Sequence, residues 1–463
     1  MRVHAAIVGS GPSGFYAAEA LLGSLPHVTV DMFERLPTPY GLVRSGVAPD
    51  HPKLKQVILV FDRIMQSDRF NFFGNVNVGR CISVDALRNA YDIVVLAYGA
   101  SADRKMEIPG ENLLNSHSAT EFVGWYNGHP DFRDSVFDLS QEVAVIVGHG
   151  NVAADVARML LQPVDELRRT DIAAHALEAL AQSKIREVHL VGRRGPAQAK
   201  FTTRELRGLG LIPDCSAAAH EDAVVVGPAC ETELADRANE NSAQNVEFFR
   251  ALRGSRWNGR SRRLTFHFRC SPERLEGAAR VANCVLQKNT LEGGPFQQAA
   301  VATGEQLNIE CGLVFSSIGY RGQPLSDIPF DAHRGIVPNR NGRVQRDGIP
   351  VAGLYVTGWL KRGPTGIIGT NRADSIETVQ QLLEDLATHG LEPKERRDVL
   401  VESLSPTGGI VTWQDWLKID AAERARGQEA GKPREKFTRV AEMLGVVSSH
   451  RNCKTAARLR IRS

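Results

Sequence analysis

At 463 residues the chain is too long for one ordinary domain and is expected to hold two or three. Apolar residues at 42% against 24% charged are the balance of a globular chain with a full core, and no apolar run approaches the ~18 residues of a membrane span. A net charge of +3 is too small to imply nucleic-acid binding.

Met1-Arg2-Val3 leads straight into a first strand, which leaves no room for a signal or transit peptide, so a cytoplasmic location is expected. That strand ends in Gly9-Ser10-Gly11-Pro12-Ser13-Gly14, a strand-turn-helix whose glycines let the backbone approach a pyrophosphate at a helix N-terminus. The next strand, Val28–Phe33, is followed by Glu34. A carboxylate there accepts hydrogen bonds from ribose hydroxyls and suits the adenosine end of FAD or NAD. Ile93–Ala100 reads as a buried strand ending in small residues, and a crossover follows through Ile108-Pro109-Gly110.

A second fingerprint stands at Gly148-His149-Gly150-Asn151-Val152-Ala153-Ala154, after the apolar run Val145–Val147. Its next strand, Val188–Val191, leads to Gly192-Arg193-Arg194. Arginine in place of the acid attracts a 2′-phosphate, so this unit suits NADPH. From Gly148 to Arg193 is 45 residues, against the ~20 expected. Leu160, Leu161, Val164, Leu167, Ile172, Leu177 and Leu180 recur at roughly helical spacing, so Pro163 to Arg186 is read as an extra helical excursion. One such fingerprint alone is also what a plain strand-to-helix turn looks like. Two in one chain, ending in opposite charges, imply two different dinucleotides.

Arg250, Arg253, Arg256, Arg260, Arg262 and Arg263 crowd into 14 residues. Two readings stand here: a solvated hairpin or loop, or a docking patch for an acidic partner, where such charge mainly raises the association rate. Gly312–Tyr320 is read as a closing strand and Leu354–Trp359 as a short strand that returns the chain to its first domain. The last 60 residues read as amphipathic helix and polar tail, with Trp413, Trp416, Leu417 and Ile419 as packing anchors. Seven cysteines, Cys81, Cys215, Cys230, Cys270, Cys284, Cys311 and Cys453, form no Cys-x-x-Cys pair. They fit buried thiols in a reducing cytosol and leave neither a redox pair nor a resident iron–sulfur cluster. No metal site is read from the sequence.

Two further segments are more specific. Pro37-Thr38-Pro39-Tyr40-Gly41-Leu42-Val43-Arg44-Ser45-Gly46-Val47-Ala48-Pro49-Asp50-His51-Pro52 and Gly358-Trp359-Leu360-Lys361-Arg362-Gly363-Pro364-Thr365-Gly366-Ile367-Ile368-Gly369-Thr370-Asn371 are dense in Pro and Gly. Either they are structural turns or they are rigid loops that lie along an isoalloxazine ring. Together with Gly124-Trp125-Tyr126-Asn127, they resemble the hallmark segments of the adrenodoxin reductase family, which includes bacterial NADPH–ferredoxin reductases. The resemblance extends from residue 1 to about 380.

It implies an α/β protein with two Rossmann-like dinucleotide-binding domains, the NADPH domain inserted into the FAD domain. Residues 1–105 and 321–463 would form the FAD domain, the latter with a helical tail, and 106–320 the NADPH domain. It further implies that Ser13, Glu34, Leu42, Val78, Trp359, Gly366, Ile367 and Ile368, beside Gly9, Gly11 and Gly14, contact FAD. NADPH would be met by Gly150, Asn151, Val152, Ala153, Arg193, Arg194, Glu205 and again Gly366. Trp359 has a rival role as a core aromatic. His51 is either structural or a group that tunes the electrostatics beside the flavin.

The chain departs from related patterns at two places. Gly358-Trp359 stands where many flavoprotein disulfide reductases carry Gly-Asp, and Gly208 stands where relatives of Phe201–Gly208 often carry glutamate, so a pairing of His51 with a carboxylate there is not carried over. The implied activity is hydride transfer from NADPH to flavin N5, then single-electron transfer to a ferredoxin-type iron–sulfur protein, for which Arg250, Arg253 and Arg256 are the docking residues on the patch reading of the arginine cluster. A cytochrome P450 is a candidate further downstream. The rivals are a stand-alone NADPH oxidase or quinone reductase, and a regulatory protein that binds FAD and NADPH without sustained turnover.

Overall fold

A computed structural model describes residues 3–220, 224–255, 258–390, 394, 397–404 and 409–449. Arg256 and Cys453 lie outside them. The chain divides into two compact units, Met1–Ala102 with Gly319–Ser463, and Asp103–Ile318, so the second is inserted in the chain of the first.

The first unit is built on a seven-stranded sheet in the order Asn339–Arg340, Arg343–Arg346, Ile349–Val356, Ile93–Leu96, Val3–Val8, Val28–Phe33, Phe70–Phe73. The last five are mutually parallel, and the two at the other edge are antiparallel. Ala5 and Ile7 enter one apolar cluster with helix residues Phe15, Ala18 and Leu21, while Ala6 and Val8 enter another with Val94, Leu96 and Leu354. Both faces are buried, which is why the strands read as continuous apolar runs rather than alternating ones.

The second unit holds a six-stranded parallel sheet in the order Ser116–Ser118, Leu313–Ser316, Val143–Val147, Glu187–Gly192, Arg262–Phe268, Cys215–Ala219. Helices cover one face through Ile146, Leu190, Phe266 and Phe315. The other face, through Val145, Val147, Val191 and Val314, packs on Cys284 and Leu286 of a three-stranded antiparallel sheet, Cys270–Glu276, Asn283–Glu292, Ala299–Glu310. That small sheet is absent from the sequence reading. The excursion from Pro163 to Arg186 holds two short helices, Val164–Arg168 and Ala174–Ala181.

Of the six described cysteines all are free and five are buried; Cys81 is exposed, contrary to the expectation of buried thiols throughout. Among the expected anchors in the helix Trp413–Glu429, Trp416 and Ile419 are fully buried, but Leu417 is 40% exposed. Residues 416, 419 and 423 follow the inward stripe of that helix, and 417 falls off it.

Candidate functional site

In the first unit the carboxyl ends of three strands are level, with Val8 opposite both Phe33 and Leu96. The turn after Val8 therefore meets the residues that follow the other two strands. Gly9 takes φ +106°, and a Cβ there would stand 2.6 Å from the Ala97 carbonyl oxygen; one on Gly14 would stand 2.1 Å from the carbonyl of Gly9. These two glycines allow strand and helix to close on each other. Gly11 differs, because nothing beyond its chain neighbours lies within 4 Å of where its Cβ would be. It precedes the helix Pro12–Ser24 with no side-chain cap, so the first-turn amides remain donors for an anion.

Glu34 is fixed by its neighbours. Its Oε2 accepts from the Ser10 amide (3.0 Å) and Oγ (2.7 Å), and its Oε1 from the Leu36 amide (3.0 Å). Oε2 is thereby filled, and Oε1 keeps capacity for a ribose hydroxyl. Ser13 is buried and ties the first helix to a later one: its Oγ donates to Asn371 Oδ1 (3.1 Å) and its carbonyl accepts from Ser375 Oγ (3.0 Å).

The segment after strand Ile349–Val356 is organised by buried Asp374, which sequence reasoning missed. Its Oδ2 accepts from the Gly358 amide (2.5 Å) and Thr357 Oγ1 (3.1 Å), and its carboxylate pairs with Lys361 (3.3 Å) and Arg362 (3.2 Å). This sets the position of Trp359, whose ring stacks on Tyr320 at 5.1 Å between centroids. Trp359 Nε1 is buried and has no hydrogen-bond partner among the described residues, a donor that a carbonyl or hydroxyl of a bound cofactor would satisfy. Downstream, Gly366 takes φ +85°, Ile367 is 60% exposed, and Ile368 packs half-buried on the core. Leu42 is exposed at the start of the helix Leu42–Ser45, and Val78 is buried. His51 is half-buried, with its amide on the Ala48 carbonyl (3.1 Å) and its Nε2 4.0 Å from Asp50 Oδ1.

The loop carrying Leu42 is clamped by the C-terminal helix. Tyr40 donates to Asp62 Oδ1 (2.5 Å) and accepts from Trp416 Nε1 (3.1 Å). Burial raises the Asp62 carboxyl, partly offset by the Tyr40 hydroxyl. Arg44 forks onto Glu423 (2.9 and 2.5 Å), which also accepts from Arg434 (2.8 Å) and the Phe437 amide (2.9 Å).

The second unit repeats the first turn with different chemistry. Val147 lies opposite both Val191 and Ser316, and Gly148 takes φ +140°, with a Cβ there 2.2 Å from the Ser317 carbonyl oxygen. Gly150 is open like Gly11 and starts the helix Asn151–Leu161 without a side-chain cap. The third fingerprint position is Ala153, fully buried against the sheet, and Val152 packs half-buried on the same core. Asn151 Oδ1 accepts from the Thr202 amide (2.8 Å), holding the following loop. His149 is enclosed by Phe201, Phe266 and Phe268, and its Nε2 meets the Leu190 carbonyl (3.1 Å). Burial pushes its pKa down to about 4, so the ring is neutral at physiological pH.

Arg193 is exposed and Arg194 half-buried, immediately after the strand Glu187–Gly192. Neither guanidinium makes a hydrogen bond or ion pair among the described residues, whereas Arg250 pairs with Glu247 (2.7 Å) and Arg263 with Glu187 (2.9 Å). Two cations without protein partners beside an open helix N-terminus fit a ribose phosphate. Glu205 is buried 3.5 Å from the buried Arg158, another partner that no local sequence pattern announces.

The chain is similar, at 45% identity over 456 residues, to the mitochondrial NADPH:adrenodoxin oxidoreductase of Salvelinus fontinalis, with 95% of this chain and 90% of the relative covered. It is 44% identical over 463 residues to NADPH-ferredoxin reductase FprA of Mycobacterium tuberculosis (strain ATCC 25618 / H37Rv), covering 95% and 98%. Among solved structures, Mycobacterium tuberculosis FprA in complex with NADPH matches with a TM-score of 0.91 at 42% identity, over 96% of this chain and 100% of that one. No family model matches the chain. No helix of the described residues is long and apolar enough to cross a membrane.

Proposed function

We infer that this chain, which belongs to the family of NADPH:adrenodoxin oxidoreductases and NADPH–ferredoxin reductases, takes electrons from NADPH and passes them through FAD to a ferredoxin-type iron–sulfur protein. Bound FAD supplies the conversion of a two-electron donor into one-electron deliveries, which is why one chain needs two dinucleotide sites. The observation that carries the reading is the contrast between Glu34, held with acceptor capacity to spare, and Arg193 with Arg194, cations lacking a partner among the described residues.

On this reading Gly9, Gly11 and Gly14 hold the FAD pyrophosphate, Ser13 and Glu34 its ribose end, and Leu42, Val78, Trp359 and Gly366 through Ile368 line the ring. Trp359 Nε1 orients the ring by donating to it. Gly150 through Ala153 hold the NADPH pyrophosphate, Arg193 and Arg194 the 2′-phosphate, and Glu205 the fold of the adjoining helix through Arg158. His51 tunes the electrostatics beside the flavin-binding loop rather than transferring a proton. Positioning of the two rings dominates the rate.

Anaerobic stopped-flow absorbance of the yellow protein with NADPH, then with oxidised ferredoxin, tests this. Rapid bleaching of the flavin band and ferredoxin-dependent recovery are expected. Recovery only with oxygen or a quinone moves the reading to an oxidase or quinone reductase, and no bleaching moves it to a regulatory protein.

The ferredoxin docks, on this proposal, against the arginine-rich segment at the end of the helix Glu240–Ala251. Glu247 partly neutralises Arg250, so exposed Arg253 carries more of the attraction. Replacing both with glutamine is expected to slow ferredoxin reduction several-fold at low salt, with the difference shrinking as salt screens it. Ferricyanide reduction stays unchanged; equal loss with both acceptors, or with neither, sinks the docking surface. A reducing compartment such as the cytoplasm fits the free thiols, and a cytochrome P450 is a candidate consumer downstream.

A further inference from the structure

The ladder between the strands Glu187–Gly192 and Arg262–Phe268 ends with Gly192 opposite Phe268. Beyond it the chain presents Arg193 and Arg194, whose side chains have no partner among the described residues. Their backbone carbonyls are held instead by the three-stranded sheet and by the residue that leads into it. The Arg193 carbonyl accepts from Asn289 Nδ2 (3.0 Å), and the Arg194 carbonyl accepts from the Arg269 amide (2.9 Å).

The Asn289 side chain makes the first contact, and its backbone supports the second. Its second Nδ2 hydrogen goes to Ser271 Oγ (2.8 Å), so both amide hydrogens are used. Its own backbone amide donates to the Arg269 carbonyl (2.7 Å), which braces the residue that bonds Arg194. The side chain is buried at 9% exposure, next to a register shift between Gln287 and Asn289 in the hairpin. A carbonyl fixed in space fixes its planar peptide group, and with it the directions in which the adjoining side chains leave the backbone.

We propose that Asn289 is a specificity-determining positioning residue, which aims Arg193 and Arg194 at the 2′-phosphate of NADPH. The inference rests on the reading of those arginines given above. Without Asn289 the two guanidiniums must be ordered by the phosphate itself, at an entropic cost the native loop has already met. NADH carries no 2′-phosphate and does not draw on this order, so the loss falls on NADPH alone.

Titration of the holoenzyme with 2′,5′-ADP and with 5′-ADP, by calorimetry, separates positioning from general damage. In Asn289→Leu the affinity for 2′,5′-ADP is expected to fall about five- to twentyfold, while that for 5′-ADP stays within about twofold. With ferricyanide as acceptor, KM for NADPH rises by the same factor, KM for NADH holds, and kcat with saturating NADPH is kept. Asn289→Ala, uncharged and also without the amide donors, carries the same comparison should the leucine variant not fold. Equal losses for the two probes, or no loss for either, overturn the proposal. Arg193→Gln is read beside it: unchanged 2′,5′-ADP affinity there overturns the 2′-phosphate reading itself. A loss with Arg193→Gln and none with Asn289→Leu overturns only the role of Asn289.

Discussion

Replacing Arg193 and Arg194 together by glutamine is expected to raise KM for NADPH by about two to four orders of magnitude relative to KM for NADH. On the proposed reading each arginine makes one charge-assisted bond to the phosphate, worth roughly 1.5–3 kcal/mol, and glutamine retains a donor but no charge. Arg193 is exposed, so solvent screening draws its share toward the lower end; half-buried Arg194 keeps more. No protein carboxylate competes for either guanidinium among the described residues, so little of the attraction is already spent. The check is steady-state reduction of ferricyanide with each nucleotide at two salt concentrations. The selectivity of the native protein should fall with salt, and that of the double variant should not. An unchanged preference in the double variant would mean that the 2′-phosphate is read elsewhere.

Both fingerprints were legible because close backbone approach leaves a local trace. Gly9 and Gly148 tolerate no Cβ against the carbonyls of Ala97 and Ser317, while Gly11 and Gly150 face open space, and this division of labour fixes their spacing. The long gap before Arg193 was legible as well, since its two helices bury Leu167 and Leu180 and the link between them buries Ile172. The small antiparallel sheet was not. Only Arg269, at φ +53°, separates the parallel strand Arg262–Phe268 from Cys270–Glu276, so the chain turns from one sheet to another without a Gly or Pro signal. Its outer strand, Ala299–Glu310, is exposed along nearly its whole length and shows no apolar alternation. Asp374 and Asn289 escaped for another reason. Their bonds to Gly358 and to Arg193 span long stretches of chain, and a polar side chain that serves a distant backbone group leaves no periodic mark. The C-terminal helix was legible as amphipathic, yet its most consequential side chain is a buried acid, which apolar periodicity passes over.

That acid, Glu423, is the site of the second large effect. Its side chain is fully buried between Arg44 and Arg434, themselves 10% and 18% exposed. Glu423→Gln leaves two guanidiniums facing a neutral amide, and loss of one partner from a buried ionic cluster costs about 3–5 kcal/mol. The residual exposure of the arginines and the acceptor kept by glutamine favour the lower end, about 3 kcal/mol, or a melting point lower by about 6–12 °C. Burial alone would raise the Glu423 carboxyl, but Arg44 and Arg434 outweigh it and hold it below the usual carboxylate range. The stabilisation is therefore complete above the unfolded value near 4.3 and is lost as pH falls through the lower folded value. The melting curves of the native protein and Glu423→Gln should lie apart at neutral pH and converge in acid. Arg44 sits on the helix that begins with Leu42, and its guanidinium also lies 5.3 Å from the Trp416 ring, so loosening it frees the loop assigned to the flavin. Release of flavin fluorescence during heating should then precede loss of helicity in Glu423→Gln but accompany it in the native protein. Arg424→Gln, which removes the exposed partner of Asp420 and leaves that carboxylate to Arg434, serves as the control and is expected to melt within about 1 °C of the native protein. A Glu423→Gln protein that melts with that control would show that packing around Trp416 and Ile419, rather than the buried charge cluster, holds the C-terminal helix on the loop.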